Sequence, residues 1–162
     1  IPNLGFCLSN RGQMFWLDEN SPACIGPKRR PRTTLSPSLA LKDGLPYMVF
    51  GTPGGDQQDQ WSLHLFLRHV HFGLNLQEAI DAPGFSTAHF PNSFYPRETD
   101  IGHLAVEGRF PKETIDELIK KGHKVIIDDD WSLGRMTAAS KDNEILKAAA
   151  NPRFMQGYAI GR

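Results

Sequence analysis

Ser38-Leu39-Ala40-Leu41-Lys42-Asp43-Gly44-Leu45-Pro46-Tyr47-Met48-Val49-Phe50-Gly51-Thr52-Pro53-Gly54-Gly55-Asp56 is the stretch on which the fold turns. Apolar residues alternate from Ser38 to Lys42 and again from Pro46 to Gly51, and Asp43-Gly44 between them is the turn pair of a β-hairpin. Tyr47 to Gly51 reads as a buried strand. It leaves through Thr52-Pro53-Gly54-Gly55 and opens into an amphipathic segment beginning at Asp56. Two consecutive glycines there can turn their N–H groups into one pocket, the geometry that a developing oxyanion needs.

Downstream, the apolar positions Trp61, Leu65 and Phe72, with Leu63, Phe66, Leu67 and Val70, predict a helix from Gln57 to Phe72, capped by Asp56 or Asp59 and stopped by Gly73. Asn75 followed by Glu78 predicts a capping box and a second helix ending near Asp81-Ala82-Pro83. Residues 84–100 read as irregular. A short strand at Leu104 to Glu107, a helix from Pro111 to Lys121 closed by Gly122, and a strand from Lys124 to Ile127 follow. The chain ends in a second hairpin, Arg135 to Ser140 and Ile145 to Ala149 around Lys141-Asp142-Asn143. Upstream, residues 12–34 read as a long ordered loop in which Phe15, Trp16 and Leu17 need burial. Hairpins flanking helices without regular alternation favour an α+β layered architecture.

The 162 residues, 40% hydrophobic and 22% charged, suffice for one core and predict a single domain over 1–162. Lys+Arg and Asp+Glu are equal at 18 each, so there is no broad basic field for nucleic acid or anionic lipid, and no apolar run approaches a membrane span. Lys28-Arg29-Arg30-Pro31-Arg32 is short, broken by proline and free of interleaved aromatics; it reads as a solvated loop. Cys7 and Cys24 are too few for a disulfide framework or a zinc site and are expected to be free buried thiols. The chain opens at Ile1, in what reads as mid-strand and without an initiator Met, so it is expected to be the C-terminal part of something longer. Its compartment, bacterial cytoplasm or periplasm, is left open, because a targeting segment would precede Ile1.

No Gly-Lys-Ser/Thr follows Gly54-Gly55, which removes the phosphate-loop alternative. Taken by itself the doublet fits a plain strand-to-helix turn best. The helix dipole behind it favours an oxyanion hole, while the Asp56 carboxylate opposes one unless capping bonds or solvent occupy it. Thr33-Thr34 at a strand edge either satisfies backbone groups or receives a substrate carboxylate, and spacing does not choose. His64, His69 and His71 imitate a metal cluster, but only His64 and His71 share a helix face and no carboxylate joins them; no metal or cofactor is expected. Ser62, Ser132 and Ser140 lie in no elbow sequence, and neither cysteine neighbours a histidine, so a nucleophile is missing.

Three ordered blocks carry a resemblance: Arg30-Pro31-Arg32-Thr33-Thr34-Leu35-Ser36-Pro37, Gly51-Thr52-Pro53-Gly54-Gly55, and Phe72-Gly73-Leu74-Asn75-Leu76-Gln77-Glu78-Ala79-Ile80-Asp81-Ala82-Pro83. With Val106-Glu107, Gly122-His123-Lys124-Val125, Gly134-Arg135 and Ala150-Asn151-Pro152-Arg153, the chain resembles the small subunit of gamma-glutamyltransferases along its whole length. The resemblance implies part of an αββα N-terminal nucleophile hydrolase sandwich, made by a precursor that cuts itself. It implies that the new N-terminal threonine of the small subunit attacks a γ-glutamyl amide, with the upstream large-subunit chain as partner. It implies that Gly54 and Gly55 supply the oxyanion N–H groups and that Thr33 and Thr34 stand where a Ser-Ser pair holds the substrate's α-carboxylate.

Two departures stand beside the matches. The nucleophilic threonine is absent from these residues and is expected on a preceding segment. Leu8 to Phe15 matches the family's Leu-Asn-Asn-Gln-Met-Asp-Asp-Phe, with Arg11 at the glutamine and Met14 at the carboxylate that pairs with the α-ammonium. Met cannot answer an ammonium, so a related acyl amide, as in the branch that resembles cephalosporin acylases, stands beside a γ-glutamyl amide as the expected small-molecule substrate. The alternative is a non-catalytic binding or scaffold module that kept the fold and lost the chemistry.

Overall fold

The computed structural model describes residues 1–155 and 157–161. The decisive hairpin is present: β1 (Ser38–Lys42) and β2 (Leu45–Gly51) pair antiparallel. Asp43 (φ 53°) and Gly44 (φ 78°) both adopt positive φ, which matches the twist of a two-residue hairpin. The second hairpin, β6 (Thr137–Asp142) and β7 (Ile145–Ala150), turns at Asn143 (φ 55°) and docks β6 on β2, giving a four-stranded antiparallel sheet in the order β1-β2-β6-β7.

Register assigns the two faces of this sheet. Phe50 pairs with Ala138 and Ala138 with Ala149, and this row points toward α1 (Gln58–Phe66) and α2 (Leu76–Asp81). Met48, Leu65, Ala79, Ile80 and Met136 complete that core, with Phe50 and Trp61 packed on it. The next row, Leu39, Val49, Ala139 and Ala148, is also apolar but lies on the outer face, where Leu39 is 61% and Val49 49% exposed. A cavity of about 720 Å³ spreads over that face between Leu39, Val49, Leu146 and Ile160.

The capping box of α2 forms as read: Asn75 Oδ1 accepts from the Glu78 N–H and Glu78 Oε2 accepts from the Asn75 N–H, each at 2.9 Å. The helix before it does not stay α-helical to Phe72. It widens into a π turn over Leu67–His71, closed by the Phe72 N–H on the Leu67 carbonyl, before Gly73 (φ 75°) ends it. Residues 84–100, read as irregular, contain β3 (Phe85–Thr87), which starts a second sheet. β3 pairs antiparallel with β4 (His103–Glu107), and β4 pairs parallel with β5 (Lys124–Asp128) across α3 (Lys112–Lys120). The missed strand is three residues long and its edge is completed by a side chain: Gln60 of α1 accepts from the Thr87 N–H at 2.8 Å and donates to the Thr87 carbonyl at 3.0 Å. Backbone alternation alone cannot signal such an edge.

Glu107, fully buried, ends β4 and organises the junction of the two sheets. Its Oε1 accepts from Arg153 Nε (2.6 Å) and the Leu133 N–H (2.9 Å). Its Oε2 accepts from Arg109 (2.7 Å), the Gly84 N–H (2.8 Å) and Arg153 Nη2 (2.8 Å). Burial opposes ionisation of this carboxyl, but the five donors outweigh it and hold its pKa at about 2. The same guanidiniums finish α2: Arg153 donates to the Ile80 and Ala82 carbonyls, Arg109 to Asp81 and Arg68 to Ala79, Ala82 and Pro83. A helix C-terminus, with its orphan carbonyls and partial negative charge, is thereby satisfied by cations.

Three expectations are corrected. Ile1 does not lie in a strand but precedes a turn over residues 2–5. Leu17 is 87% exposed, while Phe15 and Trp16 are half-buried, because the 12–34 loop is held by polar contacts to its carbonyls more than by its apolar side chains. Neither thiol is buried: Cys7 is exposed and Cys24 intermediate.

Candidate active site

β2 ends at Gly51, and Thr52 ties the following turn to the second hairpin by accepting the Arg135 N–H at 3.0 Å. The chain then passes Gly54 (φ 144°) and Gly55 (φ 64°) into a 3-10 turn, Gly55–Gln57, that leads directly into α1. A side chain at Gly54 is impossible without rearrangement, because its Cβ would lie 2.3 Å from Cζ3 of Trp61. The Trp61 indole is held between Gly54 and Gly134, whose own Cβ would stand 3.3 Å away, and its N–H donates to the Phe85 carbonyl at 3.1 Å. The doublet thus rests on a pinned aromatic plate carried by α1. Gly54 and Gly55 are half-buried, and neither N–H meets an acceptor among the described residues.

Asp56 is the group that opposed an anion here. Its side chain is 4% exposed and its carboxylate is engaged: Oδ2 accepts the Ser93 N–H at 2.7 Å, Oδ1 accepts the Ser93 hydroxyl, and Arg32 stands 3.8 Å off. Neither Ser93 nor Trp61 was singled out by sequence reasoning as a site residue. The Gly54-to-Trp61 spacing is the only local signal for the second; for the first there is none, since it lies 37 positions away.

Arg11 and Thr34 are brought together: the half-buried Arg11 Nη1 donates to Thr34 Oγ1 at 3.5 Å, and Thr34 is 8% exposed. Thr33 is exposed and its hydroxyl accepts the Leu35 N–H at 3.1 Å, a local turn. Met14 ends the 3-10 turn Arg11–Met14 and is 1% exposed.

The three histidines occupy separate environments. His64 stacks on Phe85 with ring centroids 3.9 Å apart, and burial, aided by Arg68, lowers its pKa to about 4. His69 Nδ1 meets the Leu74 carbonyl and its Nε2 the Tyr47 hydroxyl, each at 2.8 Å; His71 lies edge-on to Phe66. The π turn separates His71 from His64, and no metal-holding cluster of His, Cys, Asp or Glu occurs among the described residues.

The description of the gamma-glutamyltranspeptidase family matches residues 1–161. The chain belongs to this family. A glutathione hydrolase-like YwrD proenzyme of Bacillus subtilis is 35% identical over 160 residues, covering 97% of this chain and 29% of that protein. The solved structure of LmbA2991HD is 54% identical with a TM-score of 0.89, covering 99% of this chain and 29% of the other. Cephalosporin acylase from Bacillus halodurans is 30% identical with a TM-score of 0.77, covering 89% and 25%. The chain therefore spans about 29% of the length of the first relatives it matches. Family and fold are those expected from the sequence: the two sheets and their helices are an α+β part of the N-terminal nucleophile hydrolase architecture.

Proposed function

We propose that this chain is the C-terminal part of the small subunit of a self-cleaving amide-bond acyltransferase or hydrolase, and that it supplies the oxyanion hole and one wall of the acyl pocket. The observation that carries the reading is the Gly54-Gly55 doublet: two adjacent N–H groups without acceptors among the described residues, at a strand-to-helix turn held by Trp61. A threonine on the preceding segment attacks the amide carbon through its hydroxyl oxygen, passing its proton to its own α-amine. The carbonyl oxygen becomes an oxyanion, stabilised by Gly54 and Gly55. Collapse expels the amine with the transferred proton and leaves an acyl ester, which water or another amine then resolves.

The acyl group proposed is one without an α-ammonium. Met14 withholds a carboxylate from this wall, whereas Arg11 beside Thr34 offers a cation and a hydroxyl to an anionic acyl terminus, with Thr33 at the rim. The likeness to a cephalosporin acylase favours the same direction. The rest of the precursor is the proposed partner, seated on the outer face of the four-stranded sheet, because Leu39, Val49, Ala139 and Ala148 form a continuous apolar row that needs a cover.

The full-length precursor tests the reading. Expected results are self-cleavage into two chains, release of nitroaniline from an acyl anilide, and loss of that release in Gly55→Val with the protein still folded. Wild-type turnover in Gly55→Val refutes the oxyanion assignment. A precursor with no nucleophile at the processing point indicates instead a scaffold module that kept only the fold.

A further inference from the structure

The residue that follows the glycine doublet and the turn that carries Arg11 and Met14 are joined by one loop. Ser93, 1% exposed, holds both oxygens of the Asp56 carboxylate through its N–H and its hydroxyl. Its own carbonyl accepts from Arg97 Nη1. From there the Arg97 guanidinium reaches the other segment of the site: Nη2 donates to the carbonyls of Phe15 (2.8 Å), Met14 (3.3 Å) and Gln13 (3.4 Å), and the group lies 4.6 Å from the Trp16 ring. Those carbonyls lie at the end of the Arg11–Met14 turn and on Phe15 just after it, where no backbone N–H among the described residues donates to them. Phe94, between the two anchors, has its ring edge 3.7 Å from where a Gly55 Cβ would stand.

We propose that Ser93 and Arg97 are positioning residues for the reaction, with separate tasks. Ser93, acting through Asp56, holds the oxyanion donors in place; Arg97 holds the acyl wall bearing Arg11 at a constant distance from them. The inference rests on the proposed function. Its physical basis is that oxyanion donors work only within a few tenths of an ångström of their target, while neither glycine has a side chain by which to be held. A buried carboxylate fixed by two hydrogen bonds one residue away replaces that missing handle. The Arg97 fork does the same for the carbonyl end of the Arg11–Met14 turn.

The two tasks separate kinetically. In the whole processed protein, with γ-glutamyl p-nitroanilide and glutaryl p-nitroanilide as probes, Ser93→Ala is expected to lower kcat by about tenfold or more while KM stays within about threefold. Arg97→Met is expected to do the reverse, raising KM by about tenfold with kcat within about threefold. Arg97→Lys recovers only part of that loss, because one ammonium cannot span three carbonyls. Should Arg97→Met fail to fold or to process, Arg97→Lys carries the test, and an unchanged KM in it overturns the inference. A uniform loss of kcat and KM performance with a matching fall in Tm in all three variants, or unaltered kinetics in all three while Gly55→Val is inactive, overturns the inference and leaves the site reading standing. Absence of wild-type turnover on both anilides, or wild-type turnover in Gly55→Val, overturns the site reading and the inference with it.

Discussion

Replacing Glu107 by Gln removes one charge from a site with no solvent to absorb the change. The carboxyl is fully buried and receives five hydrogen bonds, three of them from two guanidiniums. Its pKa falls from 4.5 to about 2 on folding, so the ionised form stabilises the native state by about 3 kcal/mol. Because the native pKa is the depressed one, that stabilisation is complete above pH 4.5 and is lost as pH falls from 4.5 toward 2. Gln is worse than a protonated Glu in one respect: its NH₂ must face either the donors on Oε1 or those on Oε2, leaving Arg153 or Arg109 and a backbone N–H opposed. The expected cost of Glu107→Gln at pH 7 is about 3–5 kcal/mol. Urea unfolding of the processed protein, followed by tryptophan fluorescence, measures it; Trp131 lies 3.4 Å from the Arg109 guanidinium and reports on the node. The gap between wild type and variant should shrink as pH drops below 4.5. A loss under about 1 kcal/mol at pH 7, the ordinary value of an exposed pair, would show that the node carries no net stabilisation and refute the argument.

Gly54→Ala and Gly55→Ala should behave differently. The first drives a Cβ into Trp61 at 2.3 Å and is expected to cost several times more than the second, which has space 3.7 Å from Phe94 and pays about 1 kcal/mol for its positive φ; equal changes in Tm would count against the Trp61 plate. His64, with a pKa lowered from 6.5 to about 4, makes the protein lose stability as pH falls through that interval, since the unfolded chain takes up the proton first. His64→Gln is expected to flatten the dependence of unfolding free energy between pH 6.5 and 4, and an unchanged slope argues otherwise. Met14→Asp places a carboxylate where the side chain is 1% exposed, so a fall in Tm is expected together with a rise of about tenfold in the ratio of kcat/KM for γ-glutamyl over glutaryl p-nitroanilide. An unaltered ratio in the folded variant excludes Met14 from the acyl wall.

Local chemistry makes much of this protein legible in its sequence. The Asp43-Gly44 turn and the Asn75 and Glu78 capping box depend on neighbours within four residues and form where the sequence places them; the second hairpin also forms, but Lys141 and Asp142, expected in its turn, pair with Leu146 and Ile145 in β6, and the turn falls at Asn143-Glu144. The glycine doublet was likewise visible as a turn with unusual freedom. What the residues could not declare is which distant groups answer it: Trp61 wedged under Gly54, Ser93 on Asp56, Arg97 on the carbonyls of residues 13–15, and Arg153 on Glu107. Arg and Ser side chains carry no periodic signal, and their partners, the Asp56 and Glu107 carboxylates and the carbonyls of residues 13–15, are brought near only by tertiary packing. The same limit explains β3, whose edge is completed by Gln60, and the π turn that parts the histidines. Sequence by itself determined the turns, the cap and the hairpins, because their first hydrogen bonds close between near neighbours. Only the tertiary structure decided whether Asp56 spoils the oxyanion pocket or braces it, because a carboxylate's effect on its surroundings depends on what its lone pairs already hold.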